Sequence, residues 1–177
     1  MKTIANIPFV RRTTLALLCA VCLLCAGCHK TVAATPITTG FSCRVIADYN
    51  DLAIIGTLSR PAAGDLTLTL EQPTTLSGLR THWDGNALTA QWHGLSIELT
   101  EDTLPKAALI RKIAEILDAA LGCLPEDLTQ TEAGVQLSGK VGQDTFTLLS
   151  DPATGQLLSL SVPTLSLMVR FEEVTME

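Results

Sequence analysis

From Gly40 onward the chain alternates apolar and polar residues with a period of two, and turn signals break the run about every ten residues. Successive side chains on a strand point to opposite faces, so this pattern belongs to sheets with one buried and one wet face. In Phe41-Ser-Cys-Arg-Val-Ile-Ala-Asp-Tyr49 the odd positions form the apolar set, and in Leu52 to Leu58 the even ones do. The clearest case is Asp65-Leu-Thr-Leu-Thr-Leu-Glu71, where Leu66, Leu68 and Leu70 share a face and the threonines are β-branched residues suited to the wet side. The same alternation predicts strands at 76–83, 86–92, 94–100, 129–133, 135–141, 144–150, 156–162 and 164–174. Pro61-Ala-Ala-Gly64, Asp84-Gly85-Asn86, Gly142-Gln-Asp144 and Asp151-Pro-Ala-Thr-Gly155 supply the residues that hairpin turns require.

One segment departs from the alternation. Between Thr103 and Leu121, Leu109, Ile113, Ile116, Leu117, Ala120 and Leu121 recur at steps of three and four, with Lys106, Arg111, Lys112, Glu115 and Asp118 on the other side. Pro105 falls near the first turn, Arg111 and Glu115 are spaced to pair, and Gly122 suits the position after the last turn. The spacing predicts one amphipathic helix over 104–121, of four to five turns. The fold class that follows is mainly β with one helix (α+β): a curved antiparallel sheet, an unclosed half-barrel, crossed on its concave apolar face by the helix. Leu66, Leu68, Leu70, Trp83 and Trp92 from the strands and Leu109, Ile113, Ile116 and Leu117 from the helix are the candidate ligand contacts. They serve a plain core equally well.

The first residues carry an address. Lys2, Arg11 and Arg12 precede an uncharged run of twelve, Leu15 to Ala26 (LALLCAVCLLCA), which is shorter than the ~20 apolar residues a spanning helix needs. It ends in Cys25-Ala-Gly-Cys28, which resembles the bacterial lipobox, although Cys25 stands where that motif usually has Leu. The expected organisation is a lipoprotein signal peptide at 1–27, a lipidated Cys28 with a tether to residue 40, and a single domain over 41–177. Cleavage removes three basic residues and leaves nine against eighteen acids. So acidic a chain is a poor partner for nucleic acid or anionic headgroups, and its membrane link is the N-terminal lipid. The expected location is extracytoplasmic and membrane-anchored.

Chemistry-bearing residues are sparse. Cys19, Cys22, Cys25 and Cys28 have near-ferredoxin spacing, but they sit in the apolar signal run, and three leave with it. His82 and His93 flank Trp83 and Trp92; with the Asp84-Gly85-Asn86 loop setting the register, His82 falls opposite Leu88 and His93 opposite Ser77, too far apart for a shared metal. Glu101-Asp102, Glu126-Asp127 and Glu172-Glu173 are sequence neighbours near element ends, and on a strand such neighbours point apart. There is no nucleophile elbow, metalloprotease helix or phosphate loop, so the expectation is a non-enzyme with no cofactor and no metal. Of the cysteines past the signal, Cys43 and Cys123 either pair, closing a loop of about 80 residues worth roughly 4–5 kcal/mol, or remain separate thiols.

The opening hairpin Phe41 to Leu58, Leu76-Ser-Gly-Leu-Arg-Thr-His-Trp-Asp-Gly85, the mid-chain helix, and Asp151-Pro-Ala-Thr-Gly-Gln-Leu157 leading to a last strand ending Val169-Arg-Phe171 together resemble the periplasmic lipoprotein carriers of the LolA/LolB-like superfamily. The likeness covers most of residues 41–174 and departs from those proteins in having one long helix in place of several lid helices. It implies an unclosed barrel lidded by helix and a lipid or lipoprotein carrier-like role, binding an acyl chain or other apolar ligand. The competing expectation is a cell-envelope protein-interaction module with a fully packed core, which holds a protein partner by its surface or strand edges.

Overall fold

The computed structural model describes residues 34–100, 102–104 and 108–176; Cys28 and the signal peptide lie outside the described residues. Among the described residues there are eleven strands: β1 (Phe41–Tyr49), β2 (Leu52–Arg60), β3 (Leu66–Gln72), β4 (Arg80–Trp83), β5 (Ala87–Trp92), β6 (Leu95–Thr100), β7 (Leu128–Thr131), β8 (Gly134–Val141), β9 (Asp144–Ser150), β10 (Leu157–Val162) and β11 (Leu167–Met176). The helix α1 (Leu109–Leu121) falls between β6 and β7. All strands belong to one antiparallel sheet in the order β6-β5-β4-β3-β2-β1-β11-β10-β9-β8-β7. It is therefore two meanders, joined where the first strand meets the last, from Phe41 opposite Met176 to Tyr49 opposite Leu167. The sheet is unclosed, with β6 and β7 as its outer strands, and the half-barrel crossed by one helix is the observed class.

The period-2 pattern becomes the two faces of this sheet. Phe41, Cys43, Val45 and Ala47 of β1, Leu66, Leu68 and Leu70 of β3, and Leu167, Val169 and Phe171 of β11 are buried on the inner face. α1 lies on that face against β3, β4 and β8. Its Ile113, Ala114, Ile116 and Leu117 are at most 2% exposed and join the strand residues in one core cluster. The local register of β2 depends on a glycine. A shift between Ile55 and Gly56 sets Gly56 opposite Leu70, and a Cβ there would run into the Thr69 carbonyl oxygen.

Three sequence expectations need correction. α1 begins at Leu109, not at residue 104, and spans thirteen residues. Thr103 and Leu104 instead form a turn closed by their N–H groups on the Thr100 carbonyl, and the buried Leu104 is anchored in the core. A residue before proline is disfavoured in the helical region, and in the sequence Leu104 precedes Pro105. The strand expected at 76–83 is regular only from Arg80: Thr74–Leu76 forms a short 3-10 turn, and Gly78 takes a left-handed φ of +81°. Finally, His82 lies opposite Thr89 and Trp83 opposite Leu88. Asp84 Oδ1 accepts the N–H groups of both Asn86 and Ala87, so Gly85 and Asn86 alone form the connection and the register shifts by one. His93, expected opposite Ser77, instead makes with Gly94 the two-residue turn between β5 and β6, both at positive φ.

Candidate functional site

Of the nine candidate ligand contacts, Leu66, Leu68, Leu70, Trp83, Ile113, Ile116 and Leu117 are buried core members and Leu109 packs against them partly buried. The sheet and helix residues therefore fill one another's space. Trp83 lies under the first turn of α1, with the Arg111 guanidinium 5.8 Å from its ring centroid. Two polar clasps hold the helix down. Lys112, buried near the start, reaches Glu115 at 3.0 Å and Asp144 at 3.2 Å, and Asp144 also accepts from the Thr164 hydroxyl at 2.8 Å. Those hydrogen bonds hold the Asp144 carboxyl below its ordinary range. Near the other end, the fully buried Arg60 donates to the Thr38 carbonyl and to Asp118, whose Oδ1 also accepts the Gly64 N–H at 3.0 Å.

Trp92, the ninth candidate, has a different position. Antiparallel partners share a face, and Trp92 lies opposite Leu95, Ala90 opposite Ile97, and Leu88 opposite Leu99. Leu88 is core and Leu99 packs against it, so Trp92, Leu95 and Ile97 continue the inner apolar face outward. There they emerge from cover: Trp92 is 36% exposed, Ile97 56% and Leu95 73%. The Trp92 indole N–H donates to the Ser77 carbonyl at 3.1 Å, which fixes the ring at the rim of the strip. Leu95 and Ile97 were missed by sequence reasoning, because Leu-Ser-Ile-Glu-Leu-Thr alternates like any half-buried strand. Only the strand order shows that β6 is an edge.

The other face of β2 to β5 is polar and carries a groove. A groove of about 630 Å³ is lined by Thr57 and Ser59 of β2, Thr67 and Thr69 of β3, Arg80 and His82 of β4, and Thr89 and Gln91 of β5, with Pro61 and Asp65 at one end. His82 Nδ1 lies 3.0 Å from the Thr67 hydroxyl and 3.4 Å from Asp65 Oδ1. Arg80 and Gln91 also line a neighbouring depression of about 430 Å³ with Trp92, His93, Leu95 and Ser96.

Cys43 and Cys123 are free thiols. Burial pushes the Cys43 thiol up to about 12; burial first, and then the Asp127 charge, raises Cys123. Of the paired acids, Asp127 accepts the Leu124 N–H at 2.7 Å, and Glu172 lies 3.9 Å from Arg44.

No protein-family model matches the chain and no curated protein does. Among solved structures, the chain is similar to an uncharacterized conserved protein from Thermus thermophilus, at 11% identity over 80% of each chain with a TM-score of 0.48. It is also similar to a LolA superfamily protein from Nitrosomonas europaea, at 6% identity over 84% of this chain and 91% of that one, with a TM-score of 0.40.

Proposed function

We propose that this chain is a non-enzymatic lipoprotein of the cell envelope, anchored through Cys28, that holds an apolar or acyl-chain ligand on the inner face of β5 and β6. The observation that carries the reading is the strip Trp92, Leu95 and Ile97, which extends the apolar core face into solvent. Covering three such side chains is worth on the order of 4 kcal/mol, allowing for the area already buried. A contiguous apolar exposure rimmed by polar residues is a mark of a binding surface. The lipobox-like Cys25-Ala-Gly-Cys28 supports the anchor, and the likeness to lipoprotein carriers read from the sequence agrees with an acyl ligand. The binding surface is then beside the helix, not beneath it, because the helix itself occupies the concavity.

The test is native mass spectrometry of the processed chain, made in an exporting bacterial host and extracted in dodecyl maltoside. The expected result is a covalent lipid mass that Cys28→Ser abolishes, plus a lipid-sized noncovalent adduct that is lost on denaturation. A chain that stays free of adduct after incubation with membrane lipid extract overturns the ligand reading. The second reading then takes over: a protein partner adding a strand to β6, an outer strand of the sheet among the described residues.

A further inference from the structure

We infer that the ligand is an anionic amphiphile, whose phosphate-bearing headgroup is held by Arg80 in the polar groove while its chain passes over the β5–β6 turn onto the apolar strip. This rests on the apolar-ligand reading and adds the headgroup to it. Two observations converge with the chemistry of the guanidinium. Arg80 and Gln91 line both the polar groove and the depression that contains Trp92 and Leu95, so through these two side chains the groove adjoins the rim of the apolar strip. A guanidinium is a fork of five donors matched to phosphate or carboxylate oxygens. Arg44 spends its charge on Glu71 and Glu172 of the same face, and Arg60 its own on Asp118, whereas no carboxylate lies within ion-pair distance of Arg80 among the described residues.

The groove's one carboxylate is at the far end. Arg80 is level with Thr69 and Gln91, His82 with Thr67, and Asp65 lies two residues beyond Thr67. At roughly 3.3 Å per residue this puts Asp65 about 13 Å along the strands from Arg80, with His82 between them and in contact with it. The hydroxyls of Thr57 and Thr69 and the amide of Gln91 are level with Arg80 across the strands, and all can donate to phosphate oxygens. The overall acidity of the chain opposes a broad anionic surface, so recognition has to be local, at the Arg80 guanidinium.

The test is a titration of the processed chain in dodecyl maltoside at 0.15 M salt, read by tryptophan fluorescence with Trp92 as the exposed reporter. The probes are dioctanoyl phosphatidic acid, dioctanoylglycerol and glycerol 3-phosphate. The phosphatidic acid is expected to bind about tenfold more tightly than the uncharged diacylglycerol. Arg80→Gln brings that ratio to about one, Arg80→Lys retains part of it, and Arg170→Gln, the same charge removed from an exposed site on β11, leaves it unchanged. Equal binding of the two lipids by the unaltered chain, or a preference that survives Arg80→Gln, overturns the headgroup inference while leaving the apolar site in place. Glycerol 3-phosphate binding as tightly as the phosphatidic acid overturns the amphiphile in favour of a free anion. Binding of none of the three removes the apolar reading itself.

Discussion

Arg60 is a full positive charge with no solvent contact, neutralised by a carboxylate on the helix and hydrogen-bonded to a carbonyl of the segment entering β1. Removing one member of such a pair leaves the other charge buried alone. Asp118→Ala is therefore expected to destabilise the fold by about 3 kcal/mol in urea unfolding, while Arg60→Met, which removes the charge and keeps the volume, costs less. The reverse order would show that the pair is not what holds this end of the helix. Cys43 gives a second test at this scale. Burial pushes its thiol from the ordinary 9.0 up to about 12 in the fold, so between those two values the unfolded chain gives up the proton and the folded chain keeps it. Stability contributed by Cys43 is complete below pH 9 and is lost as pH rises from 9 to 12, by up to about 1.4 kcal/mol per pH unit. Cys43→Ala flattens that slope. At pH 8.5 iodoacetamide should label Cys123 in the folded chain and reach Cys43 only after unfolding, as peptide mapping would show; protection of both until reduction would mean that they are joined. Sequence parity made Cys43's inward direction readable, but not whether Cys123 comes within bonding reach of it.

At the scale of elements, α1 packs as a wedge, and Ile116 is one of its fully buried residues. Ile116→Ala should lower stability by about 3–4 kcal/mol. If the concavity instead adapts to a guest, the loss shrinks and a small apolar molecule restores it, which thermal unfolding with and without added octane would reveal. The two turn carboxylates Asp84 and Asp151 are held low by the backbone N–H groups they accept. Their stabilisation is present above the ordinary 3.8 and is lost as pH falls through their lower folded values. The strands were legible from alternation because each has one wet face, and Leu66, Leu68 and Leu70 could hardly point any other way. The helix start was less so, since Leu104 fits both the helical period and a buried turn, and Pro105 decides between them. The register at Asp84 turned on a side-chain hydrogen bond, which a count of loop residues does not contain.

For the whole molecule, the exposed strip separates stability from binding. Leu95→Asp combined with Ile97→Asp changes two exposed residues and should move unfolding stability by no more than about 1 kcal/mol, while abolishing lipid adducts in native mass spectrometry. A matching loss of stability would mark the strip as part of the core instead. Neither the strip nor the polar groove was readable beforehand, because both depend on which strands end as neighbours and which end the sheet. Trp92 stands out in the sequence as an aromatic and Arg80 has no such signal, although the two line one depression.

The pairing of β1 with β11 at the middle of the sheet sets the order of assembly. Each meander closes by local hairpins, but the seam between them joins residues more than a hundred positions apart, the kind of contact that is slow to form. Until the last strand has been synthesised, the first half of the protein carries an open strand edge at β1, and that edge is the intermediate's point of vulnerability to misassembly. A chain shortened by its final ten residues should accordingly fail along its midline, parting into two sheets, where most proteins trimmed at an end merely fray.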